Sequence, residues 1–143
     1  MNDKVKICLE QKKILLVKIM NLTKQLEARS KQPDIRFEDL PQQRQVYIDR
    51  LKKCEKLLSS YINELPEDQS NRLKNIMSGD VLESECKADG QECFECSAKI
   101  RSMLGSIVAM DNEILRNTKK ERDKQQRRIK HLRKGINVNN FYE

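Results

Sequence analysis

Tryptophan is absent from this sequence, phenylalanine and tyrosine occur three times each, and glycine and proline together number seven. So few aromatic and turn-forming residues leave neither the strand formers nor the turn chemistry of a β-sandwich or barrel. No stretch of eighteen apolar residues occurs, so no membrane-spanning helix is expected. Glu10, Lys12, Lys13 and Lys18 break up the apolar residues near the start, which removes the core of a signal peptide. A cytoplasmic protein without membrane insertion is therefore expected. Histidine occurs once, at position 131, with no nucleophile or carboxylate pattern around it, and neither a G-x-G-x-x-G nor a P-loop is present. No enzymatic activity and no cofactor are expected.

What the chain does have is charge and helix formers. Lys, Arg, Asp and Glu make up 36% of its 143 residues, and Leu, Ile, Lys, Glu and Gln, which favour helix, are plentiful. The expectation is an all-α fold: an elongated antiparallel three-helix bundle, or four-helix if a short one forms, ending in a long projecting helix. A first helix is predicted over 3–30, where Val5, Cys8, Leu9, Leu15, Leu16, Ile19, Leu22 and Leu26 recur at spacings of three and four around Lys12. Pro33 ends it, because the residue before proline is pushed out of the α region. A second helix is predicted over 41–65, with Pro41 in its first turn, Asp39 as its cap, and Leu40, Arg44, Tyr47, Leu51, Cys54, Leu58, Tyr61 and Leu65 as its stripe. Pro66 stops it, and a short third helix over 67–78 follows until Gly79. The last long helix is placed from 92 to 134, with Gly135 just after its end. The apolar pattern of this helix stops at Leu115, so the body is taken as 1–115 and the remainder, 116–143, as a basic projecting helix with an apolar tail.

That final segment carries the chain's basic character. Residues 116–134 hold ten cations, among them Arg116, Lys119, Lys120, Arg127, Arg128, Lys130, Arg133 and Lys134, against Glu121 and Asp123. The segment is therefore +8, although the whole chain is +7. Ile129, Leu132, Ile136, Phe141 and Tyr142 then appear as a sticky tip. Residues 64–95 are the opposite pole, with nine carboxylates against three cations, and offer the arm a counter-charge. A solvated helix end is the plain reading of the arm, and a protein partner is the next. Phosphate binding ranks last, because the aromatic residues that stack bases lie beyond the basic stretch.

Cys86, Cys93 and Cys96 form C-x6-C-x2-C, three of the four ligands a zinc site needs. His131 lies thirty-five residues beyond Cys96, about 50 Å along a continuous helix, and cannot close that site. The preferred reading makes these cysteines small apolar residues at a helix start, with metal or redox roles behind it; all five cysteines are expected to stay reduced.

Residues 14–58 contain Leu22-Thr23-Lys24, then a turn of the form D-I-x-x-x-D-L at 34–40, then Arg44-Gln45 and Ile48-Asp49. This stretch resembles the first hairpin of the bacterial flagellar type III export chaperones of the FliT/FlgN kind, and the long closing helix with a tyrosine in its tail is similar too. The acidic, cysteine-bearing segment 67–92 departs from the family's pattern. The resemblance implies a non-enzymatic cytoplasmic chaperone whose client is a late flagellar subunit, a hook-associated or filament-cap protein, held unpolymerised and passed to the export apparatus. It also implies that Ile129, Leu132, Ile136, Phe141 and Tyr142 form the segment that contacts the export gate or its ATPase, or that inhibits the chaperone itself. A narrow bundle with surplus apolar faces can take up one further amphipathic helix. Ile14, Val17 and Met20 of the first helix with Met103, Ile107 and Met110 of the last are read as that groove, methionine being able to repack around different clients. The competing classes are a coiled-coil adaptor that dimerises through its long last helix, and a nucleic-acid-binding helical protein. Monomer and homodimer both remain open at this stage.

Overall fold

The computed structural model describes the backbone of residues 3–142 and their side chains except those of 88, 89 and 135–142. Four α-helices follow one another: α1 (Asp3–Ser30), α2 (Leu40–Asn63), α3 (Glu67–Ser78) and α4 (Ala88–Tyr142), with one 3-10 turn at Glu83–Glu85 before the last. Among the described residues there is no strand, and no helix is long and apolar enough to cross a membrane. The expected all-α bundle holds.

α1 is the central element, packed along α2 on one side and α4 on the other. Its three-and-four repeat is the core: Val5, Leu9 and Leu16 are almost fully buried, with Leu15 and Ile19 beside them. α2 supplies Leu51, Cys54, Leu58 and Ile62, and α4 supplies Cys93, Cys96, Ile100 and Ile107, to the same cluster. A smaller cluster of Leu22, Leu26 and Leu40, with Phe37 and Ile114 against it, closes the other end. A buried leucine contributes about 1.5–3 kcal/mol by leaving water, so this thin double core is enough to hold three helices.

Polar contacts set the directions of the helices. Lys4 lies over Tyr61 and Lys18 over Tyr47, so α2 runs antiparallel to α1. Cys96 Sγ donates to the Leu9 carbonyl at 3.7 Å and Asn117 Nδ2 to Ser30 Oγ at 3.0 Å, two pairs each separated by 87 residues. The constant offset makes α1 and α4 parallel, and Asn117 stands level with the last residue of α1.

Local chemistry explains the helix ends. Pro41 sits in the first turn of α2, where its missing N–H is no loss. Asp39 is at the N-cap position, but its carboxylate accepts from Gln43 Nε2 at 2.7 Å and caps no backbone N–H. α3 closes on Gly79, whose φ of 82° is the left-handed conformation that glycine alone adopts without strain. The Asp80 N–H then returns to the Asn75 carbonyl at 3.0 Å, and Arg101 Nη1 ties α3 to α4 by donating to the Met77 carbonyl at 2.6 Å.

α4 departs from expectation at both ends. It begins at 88 rather than 92, and it continues through Gly135 to Tyr142, so Gly135 is a residue within the helix and not its terminator. Fifty-five residues make a rod of about 82 Å. The body also holds it for longer than the apolar pattern implied. Ile114 packs on the smaller core, Asn117 binds Ser30, and the α1–α2 connection shares a cavity of about 470 Å³ with Lys120, Glu121 and Lys124. The projecting part thus starts near 125, and 125–142 covers about 27 Å.

Candidate interaction surface

Ile107 is buried, and Met20, Met103 and Met110 pack half-buried against the main core, so four of the six residues read as a groove instead fill the α1–α4 seam. The furrow outside that seam is polar. Lys6 Nζ meets Glu92 Oε2 at 2.8 Å, and Glu10, Lys13, Glu95 and Lys99 line the same cavity of about 190 Å³. Mutual pairing holds Glu92 below the usual carboxylate range and Lys6 above the usual amine value. Ile14 and Val17 remain exposed on the outside of α1.

The opposite side of α1 carries an open apolar face. Lys4, Ile7, Gln11, Ile14 and Lys18 recur at spacings of three and four, a second stripe beside the core stripe, and all five are exposed. On α2 the facing edge is Val46, Arg50, Lys53 and Leu57, also exposed. Exposure reaches 68% for Ile7, 51% for Leu57, 48% for Ile14 and 47% for Val46, values at odds with four large aliphatic side chains on two adjoining helices. Between the helices lies a cavity of about 420 Å³ whose floor is Cys8, Leu15 and Cys54 and whose walls are Ile7, Leu57 and Tyr61. Among the described residues, the charged ones that line it are Lys4, Arg50 and Lys53, and none is a carboxylate.

Aromatic rings hold these cations in place. Lys4 Nζ is 5.3 Å from the Tyr61 ring centre, Lys18 Nζ is 5.3 Å from that of Tyr47, and the Arg50 guanidinium is 5.5 Å from the same ring. A ring face attracts and orients a cation, so the two tyrosines fix where these side chains carry their charge. In the sequence Leu57 stands only as an apolar residue flanking the stripe of the second helix, and neither it nor Ile7 is read as part of a groove. Their signal was spacing: Ile7 stands seven residues before Ile14, and Leu57 eleven after Val46.

The cysteines belong to the packing. Cys54 Sγ donates to the Cys8 carbonyl at 3.3 Å, Cys96 Sγ to that of Leu9, and Cys93 Sγ stands 4.0 Å from Ser97 Oγ. Burial pushes the thiols of Cys8, Cys54, Cys93 and Cys96 up from the ordinary value of 9.0. Cys86 is half-buried on the connection before α4. Among the described residues, no group of three or more His, Cys, Asp and Glu side chains is arranged to hold a metal ion.

Of the basic arm, Arg116 is engaged within its own helix, its guanidinium 2.6 Å from Glu113 Oε2. Lys119, Lys120, Arg127, Arg128, Lys130, Arg133 and Lys134 are exposed, as are Ile129 and Leu132. The side chains of Ile136, Phe141 and Tyr142 lie outside the described residues. Because α4 is unbroken, the acidic segment 64–95 sits at its start and the arm at its end. Twenty-one helical residues, about 31 Å, separate residue 95 from residue 116. That is several times the distance over which salt at physiological strength lets exposed charges attract, so the two poles of one chain do not meet. No protein-family model, curated protein or solved structure matches this chain.

Proposed function

We propose that this chain is a non-enzymatic helical chaperone that holds an amphipathic helix of a client protein on the outer face of α1 and α2. The observation that carries the reading is the row of exposed Ile7, Ile14, Val46 and Leu57 on two adjoining helices, over a cavity floored by Cys8, Leu15 and Cys54. A groove between two helices accepts a third through anchors three and four residues apart. The resemblance of residues 14–58 to flagellar type III export chaperones adds the identity of the client: a hook-associated or filament-cap subunit, kept unassembled in the cytoplasm through its terminal helix. In that reading the basic arm, exposed and held clear of the body, is the segment that hands the complex to the export apparatus. Titration calorimetry of the purified chain with peptides of those terminal helices tests the proposal. Binding at micromolar concentration is expected, with Leu57→Asp weakening it at least tenfold while the helical circular dichroism is retained. Equal binding by wild type, Leu57→Asp and Ile7→Asp refutes this site, and no binding by any such helix refutes the flagellar client.

A further inference from the structure

α4 carries a second helical seam, and its cover stops partway along. Gly90, Ser97 and Arg101 occupy the first part of this heptad register, where α3 packs on α4. A Cβ added at Gly90 would stand 3.2 Å from Ile76 Cδ1, Ser97 is buried, and Arg101 Nη1 donates to the Met77 carbonyl near the end of α3. Steps of three, four, seven, fourteen and three then carry the same register from Arg101 to Leu104, Val108, Leu115, Ile129 and Leu132. Among the described residues these five are the exposed large hydrophobic side chains of α4, from 38% at Leu104 to 66% at Leu115. The seam that α3 covers as far as Arg101 therefore runs on bare for about 42 Å.

The order of residues along this seam selects its occupant. Leu104 and Val108 stand at one end, Ile129 and Leu132 at the other, and the pairs Leu104 with Leu132 and Val108 with Ile129 are both centred at or beside Thr118. The centre is polar, with Thr118 Oγ1 satisfied by the Ile114 carbonyl at 2.9 Å. A stripe that reads alike in both directions suits a two-fold axis, across which residue i of each copy meets residue j of the other. Charge fixes the sense of the pairing. Parallel copies would set Lys124, Arg127, Arg128, Lys130, Arg133 and Lys134 against their equivalents, and like charges juxtaposed across an interface oppose such a contact. Antiparallel copies place Lys134 of one level with Ser102 of the other, about 10 Å from the end of the acidic segment 64–95. That is roughly the range over which exposed charges attract at physiological salt.

We infer that α4 pairs with α4 of a second copy, antiparallel about an axis near Thr118, so that Leu104 and Val108 of each copy cover Ile129 and Leu132 of the other. Each basic arm then lies along the opposite body and brings its positive pole toward the other copy's negative one, a meeting that one chain cannot make. The α1–α2 face contributes no residue to this contact, so the inference stands apart from the proposed docking of a client.

Sedimentation of the full-length protein tests the pairing with two variants altered only at exposed positions, Leu104→Glu/Val108→Glu and Ile129→Lys/Leu132→Lys. Wild type is expected as a dimer at micromolar concentration. Each variant alone is expected to raise the Kd of the dimer at least about tenfold, because its charges face apolar residues of the other copy. An equimolar mixture of the two is expected to recover the dimer: the antiparallel arrangement sets the glutamates of one variant against the lysines of the other and leaves the intact apolar ends together. That recovery also shows both variants to be folded. A monomeric wild type, or a dimer indifferent to both variants, overturns the inference. Variants that stay apart when mixed overturn it in favour of parallel pairing, and a dimer dispersed by Leu57→Asp instead overturns it in favour of the α1–α2 face as the contact.

Discussion

Arg44 Nη2 lies 2.7 Å from Asp111 Oδ2, joining the first turns of α2 to the middle of α4 across the end of the main core. Both side chains are largely withdrawn from solvent, and the Arg44 Nε is buried without a hydrogen-bond partner. Asp111→Ala therefore leaves a half-buried guanidinium with neither partner, and a loss of roughly 1–3 kcal/mol is expected in urea unfolding. Arg44→Met, which removes the charge and keeps the stem's packing, is expected to cost less. A double-mutant cycle that shows no coupling between the two positions contradicts this account.

Leu16, 1% exposed, and Ile7, 68% exposed, stand nine residues apart on the same helix, and their truncation is expected to differ sharply. Leu16→Ala opens a cavity at the meeting of three helices and is expected to cost roughly 2–5 kcal/mol. Ile7→Ala removes a side chain that the free protein leaves in water, so its effect is expected within about 0.5 kcal/mol. Measured in parallel by chemical denaturation, comparable losses at the two positions contradict the uncovered face on α1.

Two glycines are expected to respond with opposite sign. An added Cβ at Gly105 meets nothing within 4 Å on the exposed side of α4, so Gly105→Ala is expected to stabilise the protein by about 0.5–1 kcal/mol through helix propensity and unfolded-state entropy. At Gly79 the left-handed backbone alone costs any other residue about 1 kcal/mol or more, and the new Cβ stands 3.0 Å from the Arg101 guanidinium carbon. Gly79→Ala is therefore expected to lower the melting temperature while Gly105→Ala raises it.

Stability is expected to fall at both ends of the pH scale for identifiable reasons. The thiols of Cys8, Cys54, Cys93 and Cys96 are raised by burial, so the unfolded chain ionises first and stability declines as pH rises above the ordinary thiol value of 9.0. Glu92 and Glu113 are lowered through Lys6 and Arg116, so their contribution is present above 4.5 and is lost as pH falls through their depressed values. Melting curves check both limbs, and replacing Cys93 with Ala is expected to flatten the alkaline one. In a thiol-reagent assay of the native protein at neutral pH, half-buried Cys86 is expected to react ahead of the other four.

Much of the fold could be read in one dimension. The bounds of α1 and α3 agree with the residues themselves, because Pro33, Pro66 and Gly79 impose backbone limits that no packing partner relaxes. The same reasoning misplaced the end of α4, since Gly135 stops a helix only where the chain must turn, and here the helix goes on. It also grouped Ile14 and Val17 with Met20 on the seam with α4, where the structure leaves both exposed. Periodicity marks Ile14, Val17 and Met20 as apolar beyond the core stripe, but it carries no information on which neighbour lies to the left and which to the right. In three dimensions Met20 turns toward α4 and half-buries there, while Ile14 continues the row begun by Ile7 on the outward side.

The residues alone determined that the chain is helical, where most helices begin and end, that α1 is apolar on more than one face, and that positive charge concentrates toward the end of the last helix. These follow from local propensity, proline and glycine geometry, and simple counting, none of which depends on distant contacts. Tertiary structure decided the parallel pairing of α1 with α4, the hold of the body on the last helix as far as Lys124, and the exposure of Ile7, Ile14, Val46 and Leu57. The reason is geometric: which apolar stripe a neighbour covers depends on the azimuth and register of one helix against another. That register is set by the length of α3 and of the turns around it, and by contacts such as Asn117 with Ser30, eighty-seven residues apart.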